Sequence, residues 1–454
     1  MESVIGSLPD DAAMAIEEEV LSRIKPTSEE RERVGMTVSS LLAEVQNRAR
    51  ERVMGLEVML VGSVAKDTFV GNPDIDIFVL FPTTVERKDL KRIGLAIGME
   101  VLKDGKARYA EHPYIHGTWD GLEVDLVPCY AINDASELRS AVDRTPLHTR
   151  FVNSRLKEGQ HDQVRLLKQF MKGVGTYGAE ARTQGFSGYL TELLVLRYGG
   201  MEQVLEAASS WRKGEVLTLG ESGGSFDEPL VFYDPVDRDR NVASALSLNN
   251  LALFIHAARE YRARPSMKFF FPRPREPLPL SRTIEIMRER GTDLLVVRLD
   301  RPGIIDDDLY PQVRRTLDGA VDLLMRGGFI VYDKGFLIKS DIRLVIELEK
   351  ATLPEAVRHD GPPAWIDNAR SFLEKWSGRG LSEPFLDNGR WTVMVRREHT
   401  KAADLVRERL GQASLGNDLR GLKGLEVAGG EDALKEENME AISALLDKRK
   451  AWEV

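Results

Sequence analysis

The stretch from Glu57 to Phe81 constrains this chain more than any other. It reads as strand, Gly-Ser turn, short helix, loop and strand. Val58–Val61 is a short apolar run, Gly62-Ser63 breaks it, and Ile75–Phe81 is β-branched and aromatic-rich. Asp74 and Asp76 stand two positions apart where the second strand opens. A strand repeats every two residues, so both carboxylates project from one face while Ile75 and Ile77 turn into a core. Adjacent carboxylates repel unless a cation lies between them. Mg²⁺ takes one or two carboxylates together with substrate phosphates, so the pair suits a nucleotide–metal platform. The Gly62-Ser63 turn lets the backbone pass close to a phosphate, with its N–H groups and the Ser63 hydroxyl as donors.

The chain has 454 residues, enough for two to four domains. Its formal charge of -9 argues against a uniformly basic surface, so any nucleic-acid contact must use local basic patches. The single cysteine, Cys129, excludes an internal disulfide and reads as a small buried residue. The acidic stretch Met1–Glu19 lacks an apolar signal core, and no window approaches the roughly 18 apolar residues of a membrane helix. A reducing, cytoplasmic setting is expected.

Thr27-Ser28-Glu29-Glu30 predicts a helix start, followed by Val34, Val38, Leu41, Leu42 and Val45 at helical spacing. That helix is expected to pack on the sheet carrying Asp74 and Asp76. Helices are predicted near Arg87–Val101, Val164–Lys172, Phe186–Leu196 and Ala245–Glu260. Leu122–Pro128 is a later strand and carries Asp125, with Glu123 on the same face and a surface salt bridge expected for it. His112 and His116 are spaced i,i+4, but Pro113 opposes a helix there, so metal ligation is not expected. Asp234–Ala243 reads as a polar turn opening the 245–260 helix. Arg240 near that start opposes the helix dipole, and either a bound anion or base, or an ion pair with Asp237 or Asp239, would account for it. Lys168 and Tyr177 read as a solvated helix lysine and a packing anchor. Arg262–Arg275 surrounds Phe269-Phe270-Phe271 with basic residues and prolines. It reads as a connector, open to RNA stacking or to packing by its phenylalanines. Beyond it, strands at Leu294–Leu299, Phe329–Glu349 (two) and Trp391–Arg396 alternate with helices at Leu309–Met325, Trp365–Trp376 and Ala402–Leu410. This predicts α+β structure with one-sided sheets.

Gly62-Ser63 after a strand, Asp74-Ile75-Asp76 opening the next, and Asp125 on a later one resemble polymerase-β-type nucleotidyltransferases. Further motifs narrow the resemblance: Tyr109–Tyr114, Val124–Tyr130, Ala141–Pro146, Arg165–Lys168, Tyr177–Glu180, Gly185–Leu190 and Asp234–Ala243. In this order they are similar to the archaeal-type (class I) CCA-adding enzymes, the tRNA nucleotidyltransferases, over most of the chain. The resemblance implies two Mg²⁺ ions held by the catalytic carboxylates Asp74, Asp76 and Asp125. It implies nucleotide binding by Gly62, Ser63, Lys66, His148, Lys168 and Tyr177, with Arg240 at the base. The family carries arginine at the position of Lys66; lysine keeps the charge without the fork.

The implied fold is α+β multidomain: a polymerase-β-like nucleotidyltransferase palm at 1–150, a mainly helical nucleotide-binding neck at 151–260, and an α+β body and tail at 261–454. The implied activity is template-independent addition of CCA to tRNA from CTP and ATP. The body and tail would grip the acceptor stem and T arm; a homodimer is left open. The rival readings are a related enzyme such as a poly(A) polymerase and a catalytically silent RNA-binding protein on the same fold. Three intact carboxylates oppose the latter, because without a metal they would repel RNA phosphates.

Overall fold

The computed structural model describes residues 8–109 and 112–454. Met1–Ser7 of the acidic N-terminal stretch, and Ala110 and Glu111 of the Tyr109–Tyr114 motif, lie outside the described residues. The chain forms two compact units, Met1–Pro274 with Lys450–Val454, and Arg275–Arg449. Among the described residues no helix is long and apolar enough to cross a membrane.

The first unit runs α1 (Leu8–Ile24), α2 (Ser28–Arg50), β1 (Glu57–Val61), α3 (Gly62–Ala65), β2 (Ile75–Phe81), α4 (Arg87–Val101), β3 (Lys106–Tyr109), β4 (Pro113–Trp119) and β5 (Leu122–Tyr130). It continues through α5 (Arg144–Asn153), α6 (Gln160–Val174), α7 (Gly188–Tyr198), α8 (Met201–Ala208), β6 (Glu215–Leu217), β7 (Leu230–Asp234), β8 (Asp237–Asn241) and α9 (Leu248–Ala263). The start of α2 is fixed by a reciprocal cap. Thr27 Oγ1 accepts from Glu30 N and Glu30 Oε2 accepts from Thr27 N, at 3.1 and 2.8 Å. Val34, Val38, Leu41 and Val45 of α2 then bury against Ile75, Ile77, Val79 and Phe81 of β2, as their spacing predicts. The sheet order is β1-β2-β5-β4-β3, with β2 and β5 parallel and the other neighbours antiparallel. Its opposite face carries a smaller apolar patch, Val61, Phe78, Leu80, Val127 and Cys129. Burial pushes the Cys129 thiol up, so it stays protonated.

A second core gathers α6, α7, α8, α9 and β7. The described contacts draw their one division at Pro274. Val20 and Ile24 of α1 belong to this second core, although they lie within 1–150. The 260/261 boundary falls inside α9, and residues up to Pro274 stay with the first unit. The reason is the Phe269-Phe270 pair. Both rings are buried around Phe170 and Tyr261, at centroid distances of 5.4–5.9 Å. Gly173 admits their backbone, since a Cβ there would lie 2.1 Å from the Phe269 carbonyl oxygen. Core packing therefore occupies Phe269 and Phe270, and RNA cannot stack on them.

The second unit contains α10 (Leu280–Arg290), β9 (Asp293–Asp300), α11 (Asp306–Arg326), β10 (Val331–Ile338), β11 (Asp341–Leu348), β12 (Ala356–Pro363), α12 (Asn368–Trp376), β13 (Phe385–Asp387), β14 (Arg390–Arg396), α13 (Ala402–Arg409), β15 (Glu426–Gly429) and α14 (Met439–Leu446). Strands β10-β11-β9-β15 form one antiparallel sheet and β12-β14-β13 another. The larger sheet is not one-sided, contrary to expectation. Leu295, Val297, Leu344 and Ile346 pack with α11 and α13, while Leu294, Val296 and Val345 pack with Ile442 and Leu445 of α14. Both strand faces being apolar is the pattern of a strand covered twice.

Candidate active site

Register places the carboxylates. Asp76 lies opposite Val61 on β1 and opposite Asp125 on the parallel strand β5, so Asp76 and Asp125 share a face. Asp74 precedes β2 on the exposed side. Gly62 makes the approach possible: its φ is +71°, and a Cβ there would sit 2.0 Å from Asp76 Oδ2. The glycine thus accommodates a carboxylate as well as opening the turn. Burial, then repulsion from Asp125 and Asp74, pushes Asp76 up to about 7 against the pull of Lys66. Burial, then Glu123 and Asp125, also raises Asp74. Glu123 has no ion-pair partner among the described residues, so the surface salt bridge expected of it is absent; it adds negative charge to the cluster instead.

Among the described residues no three His, Cys, Asp or Glu side chains converge as a ready-made cation cage. The donor set still fits a hard divalent cation: oxygen ligands on one face, with unbalanced negative charge that burial makes costly. His116 is the partner that sequence reasoning missed. It sits opposite Asp125 in the antiparallel β4–β5 pair, and its Nδ1 lies 2.7 Å from Asp125 Oδ1. In front of the carboxylates is a cavity of about 550 Å³, lined by Gly62, Asp76, Phe78, Tyr114, Asp125 and Val127 among others. His112 also lines it. Its Nε2 donates to the Pro128 carbonyl at 2.8 Å, because that oxygen can only accept. Burial lowers the His112 pKa, which keeps the ring neutral and leaves Nδ1 a buried acceptor with no partner among the described residues.

A second cluster surrounds Glu192 of α7. Lys168 of α6 is 3% exposed, not a solvated helix lysine. Its Nζ donates to the Thr68 carbonyl and Oγ1 at 3.1 and 3.0 Å, and lies 3.5 Å from Glu192 Oε1. Burial lowers Lys168 to about 8 against the pull of Glu192. Lys66 Nζ donates to Glu192 Oε2 at 2.5 Å, and Thr68 Oγ1 donates to Glu192 Oε1 at 2.9 Å. Burial opposes ionisation of Glu192, but Lys66 and Lys168 together hold it below its ordinary value. Tyr177 pairs with Phe186 in an isolated bridge, and its hydroxyl faces Gly188, where a Cβ would lie 3.1 Å away. Lys172 Nζ stands 5.4 Å over the Tyr177 ring and feels Asp74. Ser63 Oγ has no hydrogen-bond partner among the described residues.

The third cluster is built on Asp234, buried at the end of β7. It accepts from His148 Nε2 (2.8 Å), Tyr189 Oη (3.1 Å), Arg240 Nη1 (2.8 Å) and Val236 N (3.1 Å). The His148 and Tyr189 rings stack at 3.9 Å. Burial lowers His148 although Asp234 opposes it. Arg240 is on strand β8, and α9 begins only at Leu248 behind a Ser247 cap, so the argument from a cation at a helix start does not hold. Its partner is Asp234; Asp237 instead takes Arg144 at 2.6 Å, and among the described residues no ion pair joins Arg240 to Asp239. Lys66 is felt by Asp76, Lys168 and His148 alike, so the three clusters face one another around it.

Three family models match this chain: a nucleotidyltransferase domain at residues 42–148, the second domain of tRNA nucleotidyltransferase at 162–271, and the C-terminal domain of CCA-adding enzymes at 290–428. The CCA-adding enzyme of Methanosarcina barkeri is 40% identical over 428 residues, spanning 92% of this chain and 93% of its own. That of Halobacterium salinarum is 42% identical over 409 residues, spanning 89% and 90%. The solved structure of the Cid1 poly(U) polymerase aligns with 56% of this chain and 97% of its own at a TM-score of 0.43 and 17% identity, too slight a likeness to carry weight.

Proposed function

We propose, since this chain belongs to the family of CCA-adding enzymes, that it builds and repairs the 3′-terminal CCA of tRNA in the cytoplasm, adding CMP, CMP and AMP from CTP and ATP without a nucleic-acid template. The observation that carries this reading is the register of Asp76 against Asp125, with Asp76 raised to about 7. Carboxylates that share one face, with Asp76 largely buried among them, call for a cation. Asp74, Asp76 and Asp125 are proposed as the ligands of two Mg²⁺ ions, which when bound would supply Lewis acidity and offset charge on the reacting oxygens. In the reaction the terminal hydroxyl of tRNA attacks the α-phosphorus. The new O–P bond forms as the bond to the bridging oxygen breaks, and pyrophosphate leaves.

The chain's own groups bind, orient and move the proton. Asp125 Oδ2 receives the hydroxyl proton, while His116 fixes Oδ1. Lys66, Lys168, Tyr177 and Ser63 take the triphosphate as donors and charges around one locus. His148, stacked and neutral, and Arg240 flank the base. The cavity beside Asp125 takes the 3′ end of the tRNA. The functional division proposed is a palm (1–150), a neck (151–260, structurally continuous to Pro274) and a body and tail that grip the acceptor stem and T arm. Incubating tRNA lacking its CCA end with labelled CTP and ATP tests this. Ordered growth by two C and one A supports it; a poly(A) tract or no incorporation refutes it.

A further inference from the structure

We propose that Glu192 is the positioning residue of the triphosphate cradle, seating Lys66 and Lys168 so that both ammonium groups are held in place for the incoming nucleotide. The inference rests on the reading above that these lysines take the triphosphate. Glu192 lies within an apolar helix and is 1% exposed. A buried carboxylate is costly unless paired, so its partners define its use. Those partners come from two places in the chain. Lys66 and Thr68 belong to the loop between α3 and β2; Lys168 belongs to α6.

The network closes on itself. Thr68 Oγ1 accepts from Lys168 and donates its hydroxyl hydrogen bond to Glu192, which also accepts from Lys66. Glu192 occupies one donor of Lys66, and the Tyr189 ring faces that ammonium at 5.9 Å, so donors remain for an anion. The loop itself is strapped from behind. Fully buried Arg165, one turn before Lys168 on α6, donates to the carbonyls of Asp67 and Phe69 at 2.6 and 3.0 Å and to Asp67 Oδ1 at 2.5 Å. Asp67 adopts a left-handed φ of +46°, a conformation that persists only where the surroundings enforce it. Arg165 thus fixes the backbone, and Glu192 fixes the side chains.

Two lysines brought together in a dry interior repel, and burial already disfavours the charge on Lys168. Glu192 counters this: its charge pulls Lys168 up, whereas burial, Lys66 and Lys172 push it down. Glu192→Gln keeps the shape and an acceptor but removes that charge. Hydrogen bonds to charged groups are stronger than those between neutral ones. Glu192→Gln should therefore raise KM for both CTP and ATP by about tenfold or more, with kcat within about threefold. It should also move the alkaline limb of kcat/KM to lower pH, which a merely structural residue would not do. Glu192→Asp keeps the charge and shortens the reach. Its alkaline limb should stay near the parental position while its KM rises. Circular dichroism melts establish which variants are folded at the assay temperature. A folded Glu192→Gln enzyme with parental KM and alkaline limb overturns the inference. Should that variant not fold, Glu192→Asp decides, and a parental KM there overturns it. Lys168→Ala, run alongside, separates the two claims. A parental KM in that variant removes the triphosphate reading itself, whereas a raised KM with parental Glu192→Gln behaviour removes only the role of Glu192.

Discussion

Trp452 should prove to be a keystone of the nucleotide-binding half, although it stands far along the chain from everything else in that unit. Its ring is 7% exposed and stacks on Phe269 at 5.0 Å, with His256 at 5.9 Å. Phe269 in turn packs on Phe170 of α6, the helix that carries Arg165 and Lys168. An aromatic of this kind buries about 150–250 Å², or about 4–6 kcal/mol at 25 cal/mol per Å², an upper bound. Truncation of Trp or Phe to Ala costs about 3–5 kcal/mol. One edge of this ring reaches solvent, so about 3 kcal/mol is expected for Trp452→Ala. At about 2–4 °C per kcal/mol for domains of this size class, the melting temperature should fall by roughly 10 °C. Trp452→Phe keeps the stack and should recover most of that loss. Differential scanning calorimetry of the full chain reads both variants. A fall of less than about 2 °C in Trp452→Ala would refute the packing argument.

Asp125→Ala should lower incorporation of both CMP and AMP by about three orders of magnitude, about 4 kcal/mol of transition-state stabilisation, with tRNA affinity retained; single-turnover assays check this. Gly62→Ala places a methyl on Asp76 Oδ2 in a left-handed backbone. It should lose about 1–3 kcal/mol in chemical denaturation and most of its kcat. Arg240→Ala should lower the ratio of kcat/KM for CTP over UTP, because the base then loses a donor; an unchanged ratio would leave Arg240 only its ion pair with Asp234. Triphosphate affinity should fall as pH rises through about 8, where Lys168 releases its proton, as calorimetric titration at several pH values would show. The same group acts on stability with the opposite sign. Between about 8 and its ordinary 10.5, the unfolded chain holds a proton that native Lys168 has released, so this contribution makes the fold more stable as pH rises.

The legible parts of the fold were those where local chemistry and tertiary structure agree. The Thr27 cap, the α2 stripe and the alternation around Asp76 each follow from a period or a turn that no distant contact overrides. The illegible parts depend on pairing at a distance. Strand β8 reads Asp-Arg-Asp-Arg-Asn and has no apolar alternation. It forms because it pairs with β7, and because the Asn241 side chain accepts from Phe232 N and donates to the Leu230 carbonyl. A polar turn was the natural reading, and it carried Arg240 to the wrong kind of element. His116 could be found only by aligning β4 against β5. Glu192 was hidden by its surroundings: in Leu190-Thr191-Glu192-Leu193-Leu194 a glutamate suggests the solvated face of a helix, yet this helix is buried on both sides of it.

The same physics bears on lysine at position 66, where the related enzymes were expected to show arginine. An ammonium is a compact point charge, and here it meets Glu192 end-on at 2.5 Å with the Tyr189 face beside it. A guanidinium presents a planar fork that pairs best with two acceptors side by side, and the second oxygen of Glu192 is already taken by Thr68 and approached by Lys168. In this interior an arginine would compete with its neighbours for one carboxylate, whereas lysine shares it. Lysine at 66, threonine at 68 and glutamate at 192 therefore form one matched set, in which Glu192 divides its two oxygens between the Lys66 ammonium and the Thr68 hydroxyl.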